Sequence, residues 1–222
     1  MLLGLLAFAI LYAIYNKPIP TGVEGQAADA LAKKMLNAVN NDVYKKTRYL
    51  EWSFAKGAHQ YKWDKENGEV QIEWDAYTVN LNLSEPSKSA ALENNSKLIG
   101  TAKTKSIEKA TSYFNNDSFW LVAPFKIFDQ GTKRSLVTLD DGTEGLLVTY
   151  TSGGTTPGDT YLWKLQPNGF PESYQMWVKI IPIGGLQASW DDWKAMESGA
   201  FLPTTHNLGP MTLDMGNVKG YN

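Results

Sequence analysis

The chain has 222 residues, a formal net charge of −2 and 20% charged residues. That length suits one all-β domain of about 200–250 residues, and a charge so close to zero gives no footprint for nucleic acid and no polybasic patch for anionic lipid. Cysteine is absent, which excludes disulfides, thiolate metal sites, a cysteine nucleophile and acylation at a signal-peptide cysteine.

Leu2 to Tyr15 is a charge-free apolar run. As a helix its fourteen residues reach about 21 Å, short of a ~30 Å hydrocarbon core, and no polar residue gives it a wet face. Residues 1–15 therefore read as a signal peptide or membrane anchor, although no lysine or arginine precedes the run and no small-x-small cleavage site follows it. The expected location is the cell envelope, on the periplasmic side. Residues 16–23 (NKPIPTGV) form a linker with two prolines and a glycine, and residues 24–222 are expected to make a single domain.

Residues 24–39 predict a helix. Ala28, Leu31, Met35 and Ala38 recur at a spacing of three to four, with Asp29, Lys33, Lys34 and Asn37 opposite, and Asn40-Asn41 marks its stop. A block of strands follows from about 47 to 84. Leu50, Trp52 and Phe54 face one way; Val70, Ile72 and Trp74 alternate with Glu69, Gln71, Glu73 and Asp75; Tyr77, Val79, Leu81 and Leu83 alternate with polar residues. Strict alternation gives each strand one apolar and one wet face, the mark of an antiparallel sheet with one side in water. Lys65-Glu66-Asn67-Gly68 supplies a hairpin turn.

Residues 85–104 are small and polar and read as a loop or flap. A second helix is expected over 105–115, with Ile107, Ala110 and Phe114 on one face. Residues 116–129 hold four aromatics and a central proline and match neither period, so they read as an irregular connection or an apolar rim. Further strands are expected at 134–140, 143–150, 159–166, 173–181, 185–192 and 204–214, with turns at Asp140-Asp141-Gly142 and Gln166-Pro167-Asn168-Gly169. The row Tyr174, Met176, Val178 and Ile180 is expected to point inward. Nine or ten strands with two modest helices predict a mainly β (α+β) fold, a curved antiparallel sheet forming a half-barrel with the helices on its concave face.

No motif names a reaction. His59 and His206 are the two histidines and lie in no metal-binding spacing, no serine sits in a Gly-x-Ser-x-Gly elbow, and the loop 152–159 lacks the lysine of a phosphate cradle. No catalytic residue, metal or cofactor is expected. An aromatic-lined sheet with little helix to cover it predicts an apolar cavity, lined by Trp52, Trp63, Trp74, Trp120, Phe125, Tyr161 and Trp163, with Asp159 placed to orient a head group. The expected partners are a lipid or hydrophobic small molecule and, through the N-terminal run, a membrane. A competing reading builds a hydrolase or carbohydrate-active site from Asp117, Asp129, Asp159 and His206. A third has the helices and tryptophans fill the sheet and leave no void.

The strings Asp117-Ser118-Phe119-Trp120-Leu121 with Ala123-Pro124-Phe125-Lys126, and Thr156-Pro157-Gly158-Asp159 with Tyr161 and Trp163, resemble an uncharacterised group of Bacteroidetes-type envelope proteins with a lipoprotein-carrier (LolA/LolB-like) fold. The resemblance spans about residues 24–215. It implies an open half-barrel whose concave side holds acyl chains. The missing cysteine departs from the lipoprotein-type members and argues against anchoring by lipid.

Overall fold

The computed structural model describes residues 12–222. Most of the expected N-terminal signal or anchor segment, residues 1–11, lies outside the described residues; residues 12–15 are helical. Among the described residues no helix is long and apolar enough to cross a membrane. In chain order the elements are β1 (Val23–Glu24), α1 (Gln26–Ala38), α2 (Asn41–Lys46), β2 (Tyr49–Phe54), β3 (His59–Asp64), β4 (Glu69–Trp74), β5 (Tyr77–Asn82), β6 (Ala90–Glu93) and β7 (Ser96–Lys97). There follow α3 (Gly100–Val122), β8 (Thr132–Thr138), β9 (Glu144–Tyr150), β10 (Thr160–Leu165), β11 (Pro171–Trp177) and β12 (Leu186–Ser189). Short strands close the chain: β13 (Lys194–Ala195), β14 (Phe201–Leu202), β15 (Thr205–Leu208), β16 (Met211–Asp214) and β17 (Lys219–Tyr221). The protein is mainly β with antiparallel sheets and a few helices, and neither large sheet closes into a barrel: one ends at β1 and β12, the other at β17 and β7.

Two compact units divide the chain. The first comprises residues up to Ala38, Lys126–Trp190 and Asn207–Met211; the second comprises Val39–Phe125, Asp191–His206 and Thr212–Asn222.

The first unit is built on the six-stranded sheet β1-β8-β9-β10-β11-β12. Antiparallel register aligns Leu146, Trp163, Tyr174 and Ala188 in one row and Val148, Tyr161 and Met176 in the next. All seven are buried. Trp163 meets Tyr174 edge-on at 5.0 Å and Trp190 at a tilt at 4.9 Å, an aromatic cluster of the kind that adds to simple area burial. α1 covers β8 and β9, burying Ala28, Ala32 and Met35. Arg134 fixes it there: its guanidinium donates to Asp29 at 2.6 Å and to the Ile127 carbonyl at 3.0 Å. The opposite face of the sheet carries a smaller cluster of Val137, Leu147 and Leu162 with Leu139 and Trp177.

The second unit is built on the seven-stranded sheet β17-β2-β3-β4-β5-β6-β7. Its hairpins follow local chemistry. Asp64 accepts the backbone N–H groups of Glu66 and Asn67 at the β3–β4 turn, and Gly68 takes the φ of 65° that the turn requires. α1 ends where Asn40 adopts a left-handed φ of 56°, and the chain re-enters a helix at once as α2, which the sequence pattern did not reveal.

Three expectations are corrected. The segment 85–104 is not all loop: Ala90-Ala91-Leu92 pairs with β5, and Asn94 and Asn95, both at positive φ, turn the chain back into β7. The second helix runs to Val122 rather than ending at 115, and continues as a 3-10 turn over Ala123–Lys126, so residues 116–126 are a regular element. The strand expected over 173–181 stops at Trp177, which leaves Val178 and Ile180 outside the inward row; Ile180 is 68% exposed.

Candidate ligand-binding face

The inner face of the seven-stranded sheet is set by cross-strand register. Leu50 opposes Trp63, which opposes Val70, which opposes Leu81. The next row reads Trp52, Tyr61, Ile72, Val79 and Ala91, and Trp74 pairs with Tyr77 at the far end. Neighbours at these spacings touch, so the rows form one continuous apolar surface. Trp52 stacks on Tyr61 with centroids 4.5 Å apart, and Trp74 stacks on Tyr77 at 5.3 Å.

α3 lies over this surface. Its buried stripe is Ser106, Ala110, Phe114, Asp117 with Ser118, and Leu121, a helical spacing in which two small residues come first and a carboxylate sits in the middle. Phe114 meets Trp63 edge-on at 5.2 Å and reaches Trp52 at 6.3 Å. Tyr113 stacks on His59 at 3.9 Å and meets Trp74 edge-on at 5.6 Å. The Lys109 ammonium stands 5.5 Å over the Trp74 ring and 5.3 Å over Tyr113, a pair of cation–π contacts at the edge of the layer.

One polar node interrupts the apolar layer. The Asp117 carboxylate, 2% exposed, accepts the Tyr61 hydroxyl at 2.5 Å and lies 2.7 Å from Nδ1 of His59. Its other oxygen accepts the Asn116 amide at 2.8 Å. Burial first, then the neighbouring Asp117 charge and hydrogen bond, push the Tyr61 phenol far above its usual range, so it remains a donor. A buried carboxylate is tolerated here because these groups satisfy it.

The indoles differ. The Nε1–H groups of Trp52, Trp63 and Trp74 are buried and meet no acceptor among the described residues, and the same holds for Trp163 in the first unit. A buried donor left unmade costs about 1–3 kcal/mol, so the three on this sheet face are hydrogen-bonding capacity that the described residues leave unused.

The remaining sequence-predicted residues are placed elsewhere. Trp120 and Phe125 belong to the end of α3 and its 3-10 extension: Trp120 lies 5.2 Å from the His206 ring, and Phe125 stacks on Tyr44 at 3.7 Å. Tyr161 and Trp163 are core residues of the first unit. Asp159, also there, accepts the Thr156 hydroxyl at 2.5 Å and the Lys179 backbone N–H at 3.0 Å, and thereby ties two loops together. Asp129 pairs with Lys126. The acids of the competing catalytic reading therefore each have their own local partners. Among the described residues no group of three His, Asp or Glu side chains is arranged to hold a metal ion. Tyr61 and Tyr113 are not among the residues the sequence points to, and His59 is weighed there only as a histidine outside any metal-binding spacing; the alternation in β3 carries the signal for Tyr61, while nothing local announces the tie to Asp117, 56 residues away.

Open depressions in the second unit include a polar one and one of mixed lining that Val70 and Leu81 also border. One of about 530 Å³ is bordered by Asp192, Trp193, Lys194, Thr204, Thr205 and Asp214; the other, about 360 Å³, lies along Lys62, Gln71 and Asn80 on the wet face of the sheet. Neither is bordered by Trp52, Trp63 or Trp74.

No protein-family model matches the chain, and no curated protein matches it. Among solved structures, a crystal structure of a DUF1329 family protein from Desulfovibrio piger is similar at 11% identity and a TM-score of 0.43, over 88% of this chain and 94% of that one. A likeness that distant carries no function to this chain.

Proposed function

We propose that the protein binds or carries a lipid or another apolar ligand at the bacterial cell envelope, without catalysing a reaction, and that its N-terminal apolar run exports or anchors it there. In this reading the seven-stranded sheet acts as the open half-barrel of a lipoprotein-carrier (LolA/LolB-like) fold, and the ligand lies between its aromatic face and α3. The observation that carries the reading is the set of unpaired, buried indole donors of Trp52, Trp63 and Trp74 on a surface otherwise built to hold apolar groups. A ligand with an acyl chain and an ester or carboxyl oxygen answers both properties at once.

Entry follows from the cover. The rings in the layer touch one another, so a ligand is admitted when α3 moves. Its N-terminal half is the part to move: it rests on Ser106 and Ala110, which bury little apolar area, while its C-terminal half is held by Phe114, Asp117 and Leu121. Burying about eight methylenes is worth roughly 6 kcal/mol, enough for a Kd on the order of 10–100 µM.

The test is organic extraction of the full chain followed by mass spectrometry, beside the variants Trp74→Arg and Ser106→Trp. Wild type is expected to yield one lipid class near one equivalent, and both variants to lose it. Ser106→Trp places a bulky ring at the proposed entry point under the helix and changes no residue of the sheet, so retention of the lipid in that folded variant sinks the proposed site.

A further inference from the structure

The sequence that leaves the apolar run is clamped to one loop of the first unit. The Asn16 backbone N–H donates to the Tyr12 carbonyl at 2.9 Å, which closes the short helical turn at 12–15. The Asn16 side-chain oxygen then accepts the Gly184 N–H at 2.8 Å, and the Lys17 N–H donates to the Gly184 carbonyl at 3.0 Å. The Trp177 indole N–H donates to the Lys17 carbonyl at 2.7 Å. Three hydrogen bonds thus fasten residues 16–17 to the connection between β11 and β12. The fit is close: a Cβ on Gly184 falls 2.4 Å from the Trp177 ring and 3.0 Å from the Lys17 carbonyl, and one on Gly185, at φ +78°, falls 2.8 Å from the Lys17 side chain.

That connection is Val178-Lys179-Ile180-Ile181-Pro182-Ile183-Gly184-Gly185. Its aliphatic residues are not put away: Ile180 is 68% exposed, Pro182 is exposed, and Ile181 and Ile183 are half-buried. Its base is held by the Asp159 carboxylate on the Lys179 N–H. Beside it the described end of the apolar run is equally uncovered, with Ile14 at 65%, and Tyr12, Tyr15 and Ile19 all exposed. Lys17 and Lys179 are the cations of the patch, and Trp177 sits between loop and linker. Aliphatic tips with a tryptophan and lysines at their base match the layering of a membrane interface.

We propose that loop 178–185 and the segment clamped to it form one membrane-contacting surface, in which Ile180, Pro182 and the apolar run enter the bilayer while Lys17 and Lys179 sit at headgroup level. The occupant is lipid because the patch is continuous with a charge-free run of fourteen residues that ends at the clamp. The surface fixes which end of the six-stranded sheet meets the membrane. It rests on reading residues 1–15 as membrane-active, and it uses none of the residues of the ligand face.

The chain has no cysteine, so single-cysteine variants label cleanly. Full-length Ile180→Cys and Asn168→Cys, each carrying an environment-sensitive fluorophore, are mixed with phosphatidylcholine–phosphatidylglycerol vesicles containing a bilayer-depth quencher. Asn168 lies in the β10–β11 turn, at the opposite end of the same strands. The label at 180 is expected to shift blue and be quenched from within the bilayer, while that at 168 stays wet. Ile180→Asp is expected to weaken vesicle partitioning about tenfold or more, and high salt to weaken it little. A vesicle-bound chain with both labels equally wet overturns the loop proposal and leaves the N-terminal anchor standing. A chain that does not bind vesicles overturns both. A blue shift at 180 without lipid, growing with protein concentration, assigns the patch to a second copy and also overturns the proposal.

Discussion

Asp117 on α3 and Tyr61 on β3 share a 2.5 Å hydrogen bond across the aromatic layer, with His59 2.7 Å from the same carboxylate oxygen. This node ties the C-terminal half of the helix to the sheet and is the polar counterpart of the Phe114–Trp63 contact. Removing the carboxylate leaves a buried phenol without its acceptor, whereas removing the phenol leaves the carboxylate still bonded to His59 and Asn116. Asp117→Ala is therefore expected to destabilise the chain by about 2–4 kcal/mol and Tyr61→Phe by about 1 kcal/mol. The double variant should fall short of their sum, since the two share one interaction. Urea unfolding of the three variants checks this, and strict additivity contradicts the node.

Gly169 closes the β10–β11 turn at φ +92° with its Cα against the first helix: an added Cβ falls 2.9 Å from the Lys34 carbonyl oxygen. Gly57, at φ +85°, has open space in the same test. Both positions carry the backbone penalty for a side chain at positive φ, and Gly169 carries a clash in addition. Gly169→Ala is expected to lower stability by about 2–3 kcal/mol and Gly57→Ala by about 1 kcal/mol. Equal losses, read as denaturation midpoints at unchanged slope, would mean that α1 does not press on this turn.

Lys65 lies with its ammonium 3.6 Å from the centre of the Tyr44 ring and donates to the Tyr44 carbonyl. Burial lowers its pKa to about 8. Between that value and the lysine value of roughly 10.4 in the unfolded chain, the folded state has released a proton that the unfolded state still holds, so stability rises with pH across that window. The buried phenols of Tyr61, Tyr150, Tyr161 and Tyr174 act in the opposite sense. Burial raises each of them, so the unfolded chain ionises first and stability falls above about pH 10. The expected Tm profile climbs from about pH 8, peaks near 10 and then drops. Lys65→Met should flatten the climb and keep the drop; a climb that survives the substitution points to a different group.

The β character of the chain was legible because alternation is a local signal. Val70, Ile72 and Trp74 are buried as their spacing predicts, and the Asn67-Gly68 turn lies between the strands it was read to join. The helix α3 was half legible. Its buried stripe contains Ser106, Asp117 and Ser118, polar residues that break a hydrophobic pattern, and the Asp117 carboxylate is accommodated by Tyr61 and His59 arriving from the sheet. The strand β6 was hidden for a related reason: Ala90 and Ala91 carry little β signal and are recruited by pairing with β5. Of the eight residues proposed for a ligand face, Trp52, Trp63 and Trp74 lie together on one sheet because they share strands β2 to β4. Asp159, Tyr161 and Trp163 belong to the other compact unit, a division that arises from long-range chain crossing and leaves no mark in local spacing.

The central claim is that an apolar ligand occupies the face between the seven-stranded sheet and α3. Photolabelling addresses it most directly: the full chain is exposed to a fatty acid carrying a photoreactive diazirine near its methyl end, irradiated, digested, and its adducts mapped by mass spectrometry. The account predicts adducts concentrated on peptides containing Trp52, Trp63, Trp74 and residues 106–114, competed away by unlabelled fatty acid. Adducts confined to other peptides, or none that a competitor displaces, would contradict it.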